Sequence, residues 1–162
     1  MSTTFVYNKS MSKVVDDMHL AAWRNFLTAH ATVTDVIDHE LVAAQRVPLH
    51  WYDVLIELVE APDNRLRLHE LAQKVVLSRS GLTRLLDKLE NAGLLERQAA
   101  TTDRRGAFAV LTEAGKEAVR QAWPVYAQAI AHYFALHMNE DEARIVRDVL
   151  NRIINAAQQA SE

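Results

Sequence analysis

Two groups of polar and basic residues have the chemistry that DNA recognition requires. The first group consists of Ser78, Arg79, Ser80, Thr83, Arg84 and Lys88. Arginine can donate two hydrogen bonds to guanine, and serine or threonine can contact bases or phosphates. The second group is Asp103, Arg104 and Arg105. Arg105 could enter a narrow minor groove, where the negative potential is enhanced, and Asp103 could hold an arginine in a fixed rotamer by a charge-assisted pair.

Each group also has a simpler interpretation. A polar helix face is most often just solvated, and an aspartate is common in turns. The surroundings favour the functional interpretation of the first group. Leu82, Leu85, Leu86 and Leu89 follow the i, i+3, i+4, i+7 spacing of a helix with one buried face, so the polar group points outward. Gly93 is suited to end that helix in a left-handed conformation.

The elements on either side complete a DNA-binding pattern. Residues 69–75 predict a short helix, residues 76–77 a turn, and Ser78 the cap of the second helix. Residues 94–98 and 106–111 predict two strands, joined by the polar loop 99–105, which ends in two arginines. Residues 65–68 alternate polar and apolar and predict a short strand able to pair with this hairpin. This order of elements, a helix, a turn, a second helix and a hairpin, is typical of modules that insert one helix into the major groove of DNA.

Long helices are predicted outside this stretch. Residues 12–46 carry an apolar repeat too long for a small monomer to cover, which indicates packing against a partner. Pro48 begins the next helix, whose predicted buried residues are Trp51, Val54, Leu55, Leu58 and Val59. Thr112 caps a helix to about residue 137, in which Pro124 should cause a kink or a local break. Asn139 and Glu142 form a capping box for the last helix, whose apolar positions are Ala143, Val146, Val149 or Leu150, Ile153 and Ala157.

Composition and charge restrict the class of protein. The chain has 162 residues and a formal net charge of -3, yet residues 65–105 carry nine Lys/Arg and five Asp/Glu. A basic patch on an acidic body fits site-specific DNA binding rather than coating of DNA. The absence of cysteine excludes disulfides, thiolate zinc sites and thiol redox sensing. Neither a membrane span nor a signal peptide is evident, so we expect a cytoplasmic protein without membrane partners.

Residues 77–119 resemble the winged helix-turn-helix of the MarR family of bacterial transcription regulators. The matching pieces are the Ser-x-Ser start of the recognition helix, Thr83-Arg84-Leu85, Leu89-Glu90, Gly93-Leu94, Glu96-Arg97, Asp103-Arg104-Arg105, and Leu111-Thr112-Glu113-Ala114-Gly115. Asp103 and Arg105 form the Asp-x-Arg wing motif, the most diagnostic part. The similarity in helical order extends over residues 15–158. The loop has few basic residues before Asp103, which departs from the family pattern.

The resemblance implies a mainly α fold, an α+β winged helix, in a single MarR-type domain over residues 1–162. Residues 48–112 would form the DNA-binding lobe, and residues 12–46 and 113–160 a helical dimerisation region. It also implies a bacterial or archaeal homodimer that binds a pseudo-palindromic site on double-stranded DNA. Many relatives are repressors that release DNA when a small aromatic or phenolic compound binds between the two regions.

For such an effector, the sequence offers Trp23, Arg24, His50 and Trp51, an aromatic wall with polar groups that could bind an aromatic carboxylate. The alternative is that both tryptophans only fill the core. No nucleophile motif, glycine-rich phosphate loop or HExxH spacing is present, so we expect neither an enzyme nor a cofactor or metal site. A winged-helix module that binds protein, or a ligand-binding protein without DNA binding, is the alternative function.

Overall fold

The computed structural model describes residues 16–75, 79–99 and 107–160, with only the backbone of Arg79 and Ser80. Over these residues the fold is mainly helical, with six α-helices and one small antiparallel sheet, which confirms the predicted fold class. The chain divides into two compact units, one up to Val36 and the other from Ile37 onward. The described part of the first unit is a single run of helix.

The first helix, α1, spans Asp17–Ala43. Its predicted start at residue 12 lies outside the described residues, and its end comes at Ala43 rather than near residue 46. Gln45 follows with a φ of 56°, a left-handed conformation of the kind that commonly terminates helices. In the first unit, Trp23 and Phe26 stack with ring centroids 6.0 Å apart, and both side chains are exposed.

The core of the second unit is built around α2, Leu49–Glu60. Pro48 stands at its start as predicted, and Val54, Leu55 and Leu58 are fully buried. One detail of the predicted face was wrong. Tyr52 is only 2% exposed, whereas its neighbour Trp51 is half-buried.

The two helices and the two hairpin strands of this lobe follow in the predicted order, whereas the predicted turn at residues 76–77 and the predicted cap Ser78 lie outside the described residues. A 3-10 turn at Pro62–Asn64 leads into strand β1, Arg65–Arg67, helix α3, Leu68–Lys74, and helix α4, Arg79–Asn91. Strands β2, Leu95–Ala99, and β3, Ala107–Leu111, form the wing. The sheet order is β1-β3-β2, with Leu66 opposite Ala109 and Arg97 also opposite Ala109. The predicted pairing of the short strand with the hairpin is therefore confirmed.

Helix α5, Glu113–Tyr133, is capped by Thr112 as predicted. It continues through Pro124 without a local break, although proline removes one backbone hydrogen bond, and a kink, the other predicted outcome, stays a prediction. Its end differs from the predicted one. Phe134 leaves the helical region with φ -130° and ψ -60°, and a separate 3-10 turn covers Ala135–His137.

Helix α6, Glu140–Gln159, begins with the predicted capping box. Asn139 Oδ1 accepts the backbone N–H of Glu142 at 3.0 Å, and the Glu142 carboxylate accepts the N–H of Asn139 at 2.9 Å. Among the described residues, nothing covers most of the large apolar side chains of this helix, whereas Leu150 is half-buried. The large exposed apolar residues of this helix are Ile145, Val146, Val149, Ile153 and Ile154. Across the three described stretches, no helix has both the length and the apolar character needed to cross a membrane.

Candidate nucleic-acid interface

Helix α4 has one buried face and one face open to solvent. Leu82, Leu85, Leu86 and Leu89 are all at most 5% exposed, which confirms the predicted core positions. Burial of four leucines stabilises the helix by about 2 kcal/mol for each side chain and orients it firmly. Thr83, Arg84 and Lys88 are exposed, as required of groups that contact DNA. Arg79 and Ser80 belong to the first turn of this helix.

The side chains of Arg79 and Ser80 lie outside the described part of the structure, as do Ser78 and the wing residues Asp103, Arg104 and Arg105. Their proposed contacts with DNA stay predictions. The proposed pairing of Asp103 with an arginine also stays a prediction. What the described residues do show is how the two strands that lead to the wing loop are fixed.

Arg97 of β2 links the wing strand to α4. Its Nη2 donates to Asp87 Oδ1 at 2.5 Å and to the carbonyl oxygen of Thr83 at 3.3 Å. Its Nε lies 3.7 Å from Glu90 Oε2 and is buried without a hydrogen-bond partner. The Arg97 side chain is only 29% exposed, so its charge-assisted contacts are partly shielded from water.

This link was not predicted. The leucine spacing of α4 leaves Asp87 on the outward face but indicates no partner for it, and Arg97 entered the sequence analysis only as part of a motif. No periodicity could have paired two residues on different elements. The contact nevertheless explains why an acidic residue stands on the otherwise basic face of α4.

The turn from α4 into β2 is closed by backbone contacts. Gly93 adopts a φ of 71°, where glycine is favoured, and the N–H of Leu94 donates to the carbonyl of Leu89 at 3.0 Å. The Glu90 carboxylate then accepts the backbone N–H of Arg97 at 2.9 Å. The predicted glycine termination is confirmed, and the Glu90 carboxylate joins the end of α4 to β2.

The start of α5 is held against this same turn. The Thr112 hydroxyl donates to the carbonyl of Gly93 at 2.7 Å and accepts the N–H of Gly115 at 3.1 Å. A Cβ atom on Gly115 would lie 2.1 Å from the carbonyl oxygen of Leu94. Only glycine allows this approach, so the Leu-Thr-Glu-Ala-Gly motif fixes the helix to the base of the wing.

Two arginines of β1 contact one ring of β3. The guanidinium carbons of Arg65 and Arg67 lie 5.3 Å and 5.1 Å from the ring centroid of Phe108, in cation–π geometry. Arg65 also lies 3.7 Å from Asp63. Sequence spacing suggested a short strand here but not this stacking. The stacking holds two guanidinium groups of the DNA-binding lobe in place over the sheet.

The four predicted effector residues lie at the starts of helices or along their exposed faces. Trp23 and Arg24 are exposed on α1 in the first unit. In the second unit, His50 is exposed and Trp51 half-buried in the first turn of α2. Their role as a binding site stays a prediction. No cluster of three or more potential metal ligands occurs among the residues that the structure describes.

Comparison with known proteins agrees with this geometry. The model of the MarR family matches residues 46–106. The HTH-type transcriptional regulator MhqR of Bacillus subtilis is 34% identical over 92 residues, which cover 56% of this chain and 63% of that protein. The chain thus matches less than two thirds of the length of this relative.

Solved structures match over more of the chain. AbsC, a MarR family transcriptional regulator from Streptomyces coelicolor, has a TM-score of 0.81 at 28% identity and covers 90% of this chain and 97% of its own. Sco3205, a MarR family regulator of the same organism solved in complex with DNA, has a TM-score of 0.81 at 26% identity, covering 88% and 89%. These relatives are transcription regulators rather than enzymes. The predicted resemblance is confirmed: the chain is similar to the MarR family of winged helix-turn-helix transcription regulators.

Proposed function

We propose that this protein binds a pseudo-palindromic DNA operator as a homodimer, represses transcription from it, and is released by a small effector. The observation that carries DNA binding is the construction of α4. Its leucine face is buried, and its opposite face exposes Thr83, Arg84 and Lys88. Arg97 of the wing strand forms an ion pair with Asp87 of this helix. The DNA complex of the similar Sco3205 supports this use of the fold.

The proposed contacts divide into two kinds. Arg84, together with Arg79, Ser80 and Thr83, would contact base edges in the major groove. Ser78, Lys88 and the wing arginines would contact phosphates or the minor groove, with Asp103 orienting one of those arginines. Only contacts of the first kind discriminate directly between sequences, so the two kinds have different experimental signatures.

The homodimer is supported by the uncovered apolar stripe of α6. Ile145, Val149 and Ile153 are 62%, 36% and 56% exposed, at spacings that place them on one helix face. Apolar patches of this kind on a soluble domain mark association surfaces. A symmetric dimer would hold two copies of α4 about one helical turn of DNA apart.

The test of DNA binding is selection of bound sequences from a random DNA pool. An inverted repeat with half-sites about 10 base pairs apart is expected. On the selected site, Arg84→Ala should weaken binding by about 1–3 kcal/mol and relax specificity at one position. Arg46→Ala removes the same charge from an exposed residue between α1 and α2 and should have little effect.

An unenriched pool, or equal losses for the two variants, would contradict the proposal. It would favour the alternative of a winged-helix module that binds protein or ligand without DNA. Binding that falls uniformly with salt on every sequence would indicate phosphate contacts alone.

The dimer is tested separately by light scattering. Ile153→Glu places a charge in the proposed interface and should yield monomers, because burying an unpaired carboxylate is costly. Asn151→Glu adds the same charge at an exposed polar position of the same helix and should stay dimeric. Ile153 suits this test better than the half-buried Leu150, whose substitution would also perturb the monomer.

The effector and the direction of regulation complete the proposal. Trp23, Arg24, His50 and Trp51 remain the residues predicted for an aromatic carboxylate. Thermal stability across a panel of such acids tests this, since a ligand that binds only the folded state raises the melting temperature. A reporter gene behind the selected operator should be silenced by the protein, in the cytoplasm of a bacterial or archaeal host.

A further inference from the structure

The outer face of the small sheet carries two arginines that share one aromatic ring. Side chains alternate across a strand, so Arg65 and Arg67 of β1 lie on one face and Leu66 lies on the other. Phe108 of β3 stands opposite Arg67, and its half-buried ring lies 5.3 Å and 5.1 Å from the two guanidinium carbons. The next residue of β3, Ala109, is fully buried, so the arginines lie on the face away from the core.

The positive charge of this arginine pair is poorly neutralised. Arg65 Nη2 lies 3.7 Å from Asp63 Oδ2, and both side chains are at least half exposed, so their ion pair is weak. Within the described stretches, the guanidinium of Arg67 has neither an ion pair nor a hydrogen bond. The Glu70 carboxylate accepts the backbone N–H of Arg67 at 3.0 Å instead. Two cations held at one ring repel each other, and a bound anion would remove that repulsion.

The shape of the guanidinium group and its position on the sheet indicate which anion it meets. A planar guanidinium donates two parallel hydrogen bonds, a geometry that matches a phosphate group. Arg67 is opposite Phe108, near the start of β3, whereas Arg65 is opposite Val110, near its end. The start of β3 follows the wing loop, so Arg67 lies at the base of the wing. A wing inside a minor groove has a sugar-phosphate backbone on each side, and groups at its base face phosphates.

We propose that Arg67, assisted by Arg65, binds a phosphate of the DNA backbone that flanks the minor groove occupied by the wing. Phe108 would be a positioning residue that holds both guanidinium groups ready for this contact, so that little side-chain freedom is lost on binding. The contact would lie outside the part of the half-site that α4 reads and would not depend on base sequence. It rests on the proposed function, since the wing must first lie in a minor groove.

Two duplexes test the contact in fluorescence anisotropy titrations. One ends at the outermost base pairs of the selected inverted repeat, and the other extends it at each end by half a helical turn of arbitrary sequence, about five base pairs. The parent protein should bind the longer duplex more tightly. Arg67→Ala should remove most of this gain and weaken binding to the longer duplex about three- to tenfold, with unchanged discrimination between operator sequences.

The dependence of affinity on salt identifies a phosphate contact. For Arg67→Ala, the slope of log K against log salt concentration should fall by about one for each bound subunit, whereas Arg67→Lys keeps the charge and should retain most of the slope. Arg46→Ala removes an equal charge from an exposed residue between α1 and α2 and should leave both slope and length dependence unchanged. Unchanged slope and length dependence in Arg67→Ala would overturn the proposal and favour an acidic protein segment as the partner of the arginine pair.

The positioning role of Phe108 has its own signature. Phe108→Leu keeps an apolar side chain but loses the ring, and it should weaken operator binding about two- to fivefold. Phe108→Tyr keeps the ring and should bind like the parent protein. In a chain that already carries Arg65→Ala and Arg67→Ala, Phe108→Leu should have no further effect, and thermal melting shows whether each variant is folded. Equal losses with and without the arginines would mean that Phe108 only supports the wing, and would overturn its positioning role.

The same measurements separate this inference from the proposed function. A parent protein that enriches no sequence would contradict the operator proposal, while the salt slope on any duplex still shows whether Arg67 neutralises a phosphate. An enriched operator that Arg67→Ala binds with parental affinity, salt slope and length dependence would contradict the flanking contact alone.

Discussion

Removal of the Arg97 side chain tests whether the wing and the recognition helix act as one unit. In Arg97→Ala, the contact with Asp87 at 2.5 Å and the bond to the Thr83 carbonyl at 3.3 Å are both lost. The partners are 29% and 52% exposed, so the ion pair contributes about 1 kcal/mol at most. The carbonyl bond adds about another 1 kcal/mol.

A loss of about 1–2 kcal/mol in the free energy of unfolding is therefore expected, measured as a lower midpoint in urea with an unchanged slope. Arg97→Lys keeps the charge but not the planar fork, and it should recover only part of the loss. In a double-mutant cycle with Asp87→Ala, the coupling energy should exceed about 0.5 kcal/mol. Strictly additive losses would show that the two side chains do not interact in solution.

Operator binding gives the decisive readout. Arg97 positions α4 and β2 rather than contacting phosphates, so Arg97→Ala should lower operator affinity without changing its dependence on salt. A reduction of the salt slope by about one would show that Arg97 itself neutralises a phosphate. That result would refute the positioning role.

Three further predictions concern glycine packing, the ionisation of a carboxyl group and one hydrogen bond between helices. Gly115→Ala should cost more free energy of unfolding than Gly93→Ala, about 1–3 against about 1 kcal/mol, since a Cβ meets the Leu94 carbonyl at Gly115 but open space at Gly93; equal losses by urea denaturation would contradict this. The native pKa of Asp53, about 6, lies above its unfolded value of 3.8, so ionisation destabilises the fold. Asp53→Asn should match the parent protein near pH 4 and exceed its stability by about 1 kcal/mol at pH 8, discounted for the exposure of Asp53; a constant difference would exclude this cause. Tyr133→Phe should lose the 2.6 Å bond to Glu40 and lower the melting temperature, and an unchanged melting temperature would show that water replaces the bond.

The sequence predicted most of the DNA-binding lobe because its signals are local. The leucine spacing of α4, the Gly93 termination and the Thr112 cap each depend on residues within one or two turns. Where two neighbouring residues compete for one buried position, periodicity does not decide. Tyr52 and Trp51 are such a pair, and Tyr52 is buried because it packs against Tyr126 on a distant helix.

Most of the parts that were not predicted depend on contacts between distant elements. The link from Arg97 to Asp87 and the stacking of Arg65 and Arg67 on Phe108 each join residues whose spacing in the sequence shows no pattern. The end of α5 was also not predicted, for a local reason. No glycine, proline or asparagine directly follows Tyr133 to mark it as the last residue of the helix, and the helix ends where Phe134 leaves the helical conformation.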